Sequence, residues 1–65
     1  MFSENLKSLR EKKQMTQQQL ADKLEISRST IGMYENGSRE PDFETLELIA
    51  DFFNVNMDRL IGNLN

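Results

Sequence analysis

The side chains able to do chemistry here are carboxylates, guanidinium groups, amides and hydroxyls, because the 65 residues include no Cys and no His. Zinc-finger sites and haem ligation therefore lack their ligands, and Cys/His or Ser/His catalysis lacks its nucleophile–base pair. No metal and no cofactor are expected. The carboxylates of Glu44, Glu47 and Asp51 recur on one face of a helix-periodic segment. Nothing around them suggests burial or a pocket, so a solvated face is expected and an enzyme is not. What remains between Thr16 and Arg39 is a stretch rich in hydroxyl, carboxamide and guanidinium side chains. Such groups bind anions and polar edges when a scaffold holds them on one surface.

The net charge of −3 is unevenly spread. Residues 1–39 carry seven basic against five acidic side chains, a net +2, whereas residues 40–65 carry one against six, a net −5. Two readings stay open from charge alone. Both halves are ordinary solvated helix faces, or one face suits phosphates and another repels them. A chain this short has room for one core and no second domain. Without cysteine no disulfide supports it, and a reduced, cytoplasmic location is the default expectation. No apolar run approaches the length of a membrane span, and the N-terminus is too polar for a signal peptide. The end of the chain, three residues after Gly62, leaves open a complete small protein or a domain of a longer one.

Apolar spacing predicts five helices and no strands. Phe2, Leu6 and Leu9 predict a first helix over about Ser3 to Lys13. Thr16-Gln17-Gln18-Gln19 reads as a capping box opening a second helix with Leu20, Ala21 and Leu24 buried. Ser27 is the next N-cap, ahead of a third helix carrying Ile31 and Tyr34 and stopped at Asn36-Gly37. Asp42 caps a fourth, with a core stripe of Phe43, Leu46, Ile49, Ala50 and Phe53. Asn56 caps a last short helix bearing Met57, Leu60 and Ile61, and Gly62 stops it. Between Leu24 and Ile26 the helical period breaks and resumes out of phase, as a sharp corner between two helices requires. Ala21 supplies the small residue that a tight crossing needs.

The set Met15-Thr16-Gln17-Gln18-Gln19-Leu20-Ala21, Ile26-Ser27-Arg28-Ser29-Thr30-Ile31, Tyr34-Glu35-Asn36-Gly37 with Arg39 and Pro41, Leu46 with Ile49-Ala50, and Phe53-Asn54-Val55 resembles the lambda-repressor/Cro-like helix-turn-helix domains, also called the xenobiotic-response-element family. The likeness spans nearly the whole chain, in the family's order and spacing. It implies an all-α, compact five-helix domain over residues 1–65, with its helix-turn-helix unit at about 17–36 and a recognition helix at about 28–36 that enters the DNA major groove. It further implies a prokaryotic or phage-type transcriptional regulator, expected to be a repressor, acting on double-stranded DNA.

The resemblance assigns roles to the donors. Arg28, Ser29 and Met33 occupy positions from which the family reads base edges. Thr16, Gln17, Asn36, Ser38 and Arg39 occupy positions that lie along the phosphate backbone. Elementary chemistry agrees: Gln17 opens a helix whose positive end suits a phosphate, and Arg28 can donate two hydrogen bonds to O6 and N7 of guanine. A phosphate clamp or a solvated side chain remains open for Arg28, and a plain surface position for Met33. In the family the positions of Arg10 and Glu35 form a largely buried ion pair joining helices one and three.

Three departures stand out. Glu25 occupies a turn where the family has Gly. Gly32 lies inside the recognition helix. Leu48 and Phe52 lie off the core stripe of helix four, where small or polar residues are commoner. In the family the region around helix five often supplies the dimer contact, here Met57, Leu60, Ile61 and Leu64, and Leu48 and Phe52 offer a second apolar patch for a protein partner or a missing C-terminal domain. Met57 and Leu64 are expected to be more exposed than Leu60 and Ile61. The expected assembly is a homodimer on a two-fold operator. The alternative function is a protein-interaction module that keeps this fold and has lost DNA binding.

Overall fold

The computed structural model describes residues 1–62. Five helices account for the order: α1 Phe2–Lys12, α2 Gln17–Leu24, α3 Arg28–Asn36, α4 Phe43–Phe53 and α5 Met57–Ile61. There is no strand among the described residues. The bounds of α1 differ by one residue from those predicted, within the usual fraying of helix ends.

The helix starts are built as the sequence predicts. Thr16 Oγ1 accepts from the Gln19 N–H at 3.0 Å, and the Thr16 N–H donates to Gln19 Oε1 at 2.8 Å, completing the capping box. Ser27, Asp42 and Asn56 each accept from the backbone N–H three residues on. Three helices end in the left-handed conformation, at Glu25, Gly37 and Asn54. Gly37 meets this requirement without cost, whereas Glu25 does so against its own Cβ. The end of α5 works differently. Gly62 is extended (φ −80°, ψ 169°), and the Asn5 side chain satisfies the loose carbonyls, with Nδ2 donating to Leu60 and Gly62 at 2.8 Å each. One polar side chain of α1 thereby holds both the end of the fold and the carbonyls left over by a short helix.

One core joins all five helices. Leu6, Leu20, Ala21, Ile31, Ile49 and Leu60 are fully buried, and Leu9, Leu24, Tyr34, Ala50 and Phe53 nearly so. α2 packs on α3, with Ala21 fully buried, while α1 packs on α3 and α5. Phe2 adds an edge-to-face contact with Tyr34 at 5.9 Å between ring centroids.

Four apolar positions depart from expectation. Phe43 is 65% exposed and does not belong to the core stripe. It is the first residue of α4, and a helical side chain leans toward the N-terminus, here past the last neighbour. Met57 is half-buried against the core, and Ile61 is the more exposed of the two at 45%. On a five-residue helix Leu60 and its neighbour Ile61 point about 100° apart, and Leu60 is the one that is fully buried in the core. Phe52 is also half-buried, with its ring against Phe53 and Lys13 Nζ 5.8 Å above it. Leu48 is exposed. Leu64 lies outside the described residues.

Candidate nucleic-acid interface

The first residues of α2 and α3 meet through their side chains. Gln17 Oε1 accepts from Arg28 Nη1 at 2.7 Å. On its other side, Gln17 Nε2 donates to Glu35 Oε1 at 3.1 Å. Glu35 is in turn gripped by Arg10, with Nε to Oε2 at 2.7 Å and Nη2 to Oε1 at 3.0 Å. The third arm of Arg10, Nη1, donates to the Met15 carbonyl at 2.7 Å, pinning the turn that leads into α2. A single polar network thus runs from α1 through α3 and α2 to Arg28. Its inner pair is well shielded, with side-chain exposures of 11% for Arg10 and 4% for Glu35. The hydrogen bond to Glu35 raises the Arg10 pKa, against the opposing effect of burial. Both charges are therefore paired and hydrogen-bonded, as ions shielded from water need to be.

Above this network lies an open cleft of about 540 Å³ whose exposed edge carries Lys7, Arg28, Ser29 and Asn36, with Gly32 and Met33 between them on α3. No α4 residue lines it, so the acidic face of that helix contributes nothing to its walls. Ser29 belongs to a hydroxyl group of three, with Ser27 Oγ 3.2 Å from Ser29 Oγ and 2.8 Å from Thr30 Oγ1. Met33 is half-buried rather than fully exposed.

Thr16, Ser38 and Arg39 stand outside the cleft, all exposed. The Thr16 oxygen accepts the capping bond, which leaves its hydroxyl proton available to an acceptor outside the chain. Asn36 Oδ1 accepts from the Ser38 N–H at 2.9 Å, and the Met33 carbonyl accepts from the N–H groups of Ser38 and Arg39. The turn after α3 is therefore self-supporting, and it follows directly on Asn36 at the cleft edge. Arg39 itself faces a second groove of about 560 Å³, bounded by Phe2, Pro41, Leu46 and Ile61.

Two features escape a reading of the sequence. Lys7 belongs to the cleft edge; the available signal is its place three residues before Arg10, off the Phe2–Leu6–Leu9 stripe. The bond from Gln17 to Glu35 leaves no sequence signal, because it depends on how α2 crosses α3.

Comparison with known proteins places this arrangement. Over 61 residues the chain is 52% identical to an uncharacterised HTH-type transcriptional regulator of Bacillus subtilis, YqaE, covering 94% of this chain and 53% of that one. The HTH-type transcriptional regulator AnsR of the same organism is 42% identical over 62 residues, 95% of this chain and 53% of its own length. The chain thus spans about half the length of these curated relatives. A transcriptional regulator from Listeria innocua superposes with a TM-score of 0.90 at 31% identity, over 100% of this chain and 61% of that one. The LexA SOS-response transcriptional repressor from Eubacterium rectale superposes with a TM-score of 0.89 at 35% identity, over 98% and 70%. The helix-turn-helix family model matches residues 6–60, so the chain, five helices and polar network together, belongs to the lambda-repressor/Cro-like helix-turn-helix family.

Proposed function

We propose that this chain is the sequence-specific DNA-binding domain of a bacterial or phage-type transcriptional regulator, acting in the cytoplasm as a repressor. The observation that carries this reading is the meeting of Gln17 and Arg28 at the edge of an open cleft, at the starts of the two helices of the motif. In this reading α3 lies in the major groove. Arg28 donates to a guanine edge, while Ser29 and Met33 face neighbouring base pairs, Met33 against a thymine methyl. Thr16, Gln17, Asn36, Ser38 and Arg39 hold phosphates on either side, with Lys7 adding charge. Repression requires only that the operator be occupied, which a small domain of this kind can do.

One recognition helix reads few base pairs, so two copies on a two-fold operator, about 34–36 Å apart, supply the rest of the specificity. The exposed apolar residues Ile61 and Leu48 are the surfaces for a second copy or for the remainder of a longer regulator.

Selection from random duplexes at a stated salt concentration tests the reading. The expected result is a recovered motif with two-fold symmetry. A dimer neutralising ~6–10 phosphates loses roughly 10³–10⁵ in affinity between 50 and 200 mM salt. Retention of no duplex at low salt, or binding indifferent to salt, overturns it.

A further inference from the structure

Gly32 is costly where it stands, since glycine inside a helix forfeits stability relative to alanine. Its backbone does not demand glycine: among the described residues Gly37 is the glycine with positive φ. Nor does space forbid a methyl group. A Cβ at position 32 meets Gln17 Oε1 at 3.9 Å, an ordinary van der Waals distance, and no closer atom. That oxygen, however, is the acceptor for Arg28 Nη1. A longer side chain at position 32 reaches the place where this bond is made. From one turn along the same helix it also offers Arg28 a rival partner.

The other side of the bond is set by Glu35. An ionised carboxylate only accepts, so Gln17 must turn its Nε2 toward Glu35 and its Oε1 toward Arg28. We propose that Gly32 and Glu35 are positioning residues for Arg28: Glu35 aims the Gln17 carboxamide, and Gly32 leaves open the space in which that carboxamide holds the guanidinium. The inference rests on the DNA-binding reading of Arg28 and deepens it, since two residues that need touch no base govern base preference. With one Nη1 proton engaged, Arg28 still has donors for a bidentate contact. Holding the side chain beforehand lowers the ordering cost of making it.

The test uses the whole chain with Gly32→Ala, Gly32→Gln and Arg28→Ala. Binding is measured at one salt concentration to the selected duplex and to versions altered at the base pair whose preference Arg28→Ala abolishes. Gly32→Ala is expected to keep that preference and to raise Tm by about 4–8 °C. Gly32→Gln is expected to lower it roughly tenfold at that one base pair, within the range of a single bidentate contact, and to leave the other positions alone. Nuclear magnetic resonance of the DNA-free protein supplies an independent readout. Rotation of the Arg28 guanidinium should be slowed in the parent and in Gly32→Ala, and freed in Gly32→Gln. Unaltered preference in Gly32→Gln, or a freely rotating guanidinium in the parent, overturns the proposal. A parent with no duplex preference sinks the DNA reading along with it, whereas a selective parent with an unaffected Gly32→Gln variant sinks this inference alone.

Discussion

Arg10 Nε lies 2.7 Å from Glu35 Oε2, and the carboxylate that closes this pair also receives the side chain of Gln17. The ion pair therefore joins α1 to α3 and steadies the start of α2. Removing only one partner leaves the other charge behind in a shielded place. Arg10→Met or Glu35→Leu alone should cost ~3–5 kcal/mol, and the double substitution less than the sum. In a domain of this size that is a large share of the total stability. Urea denaturation of the two single variants and the double checks it; additive losses would show that the residues do not interact.

Sequence position alone places Gln17 at the backbone, with a uniform effect on all sites. The bond to Arg28 changes that expectation. Arg28→Ala should relax preference at one base pair of each half-site by ~1–3 kcal/mol. Gln17→Ala should weaken every site and also erode that same base pair. In the double variant the two losses of preference should be less than additive. Binding to matched and mismatched duplexes measures the cycle, and full additivity would return Gln17 to a phosphate contact only.

Asp42 caps α4, and its bonds to the hydroxyl and the backbone N–H of Thr45 hold its carboxyl below the usual carboxylate range. A pKa lowered by folding means that the folded state favours the ionised form. The stabilisation is complete above the unfolded value near 4 and is lost as pH falls through the lower folded value. Asp42→Ala should lower the stability at neutral pH, while Asp42→Asn should keep most of the cap and lose its share of the acid sensitivity. Thermal melts from pH 7 down to pH 3 separate the two variants; identical acid profiles for Asp42→Asn and the parent would contradict the assignment.

Glu25 ends α2 with φ 59° and ψ 41°, in the left-handed region that disfavours a Cβ. Glu25→Gly should therefore stabilise the fold by about 1 kcal/mol, less what the freer unfolded chain takes back. The measurement is the midpoint of chemical denaturation. A clear loss of stability would mean that the glutamate side chain contributes more than its backbone costs.

The chain is expected to be mainly monomeric at micromolar concentration and to pair on DNA, because the exposed large apolar side chains among the described residues are few: Met1, Phe43, Leu48 and Ile61. Ile61→Asp should leave the monomer folded and reduce paired occupancy of a two-fold operator. Sedimentation with and without operator checks both statements. A tight dimer without DNA, or one protein per operator at saturation, contradicts them.

Local chemistry made most of the fold legible. The starts of α2 to α5 carry their own signals, in Thr16, Ser27, Asp42 and Asn56, whose side chains bond backbone a few residues away. Such bonds form within one turn and need no tertiary partner, so sequence order suffices to predict them. The buried stripes of α1, α2 and α3 follow for the same reason, since helical periodicity is a property of the chain.

The ends of the core were not decided there. Phe43 fits the stripe of α4 by spacing and still stands in solvent, and Met57 and Ile61 exchange the exposures expected of them. Burial at a helix end depends on where the neighbouring helix stops, which periodicity does not encode. The sequence by itself determined five helices, four of them with side-chain caps, a sharp corner between the second and third, and a basic amino-terminal part. Only the tertiary structure decided that Glu35 would face Gln17, that Gln17 would face Arg28, and that Gly32 would lie open beside them. The reason is physical: a carboxamide has two unlike ends, and which way each one points is settled only when the packing of three helices has put an acceptor on one side and a donor on the other.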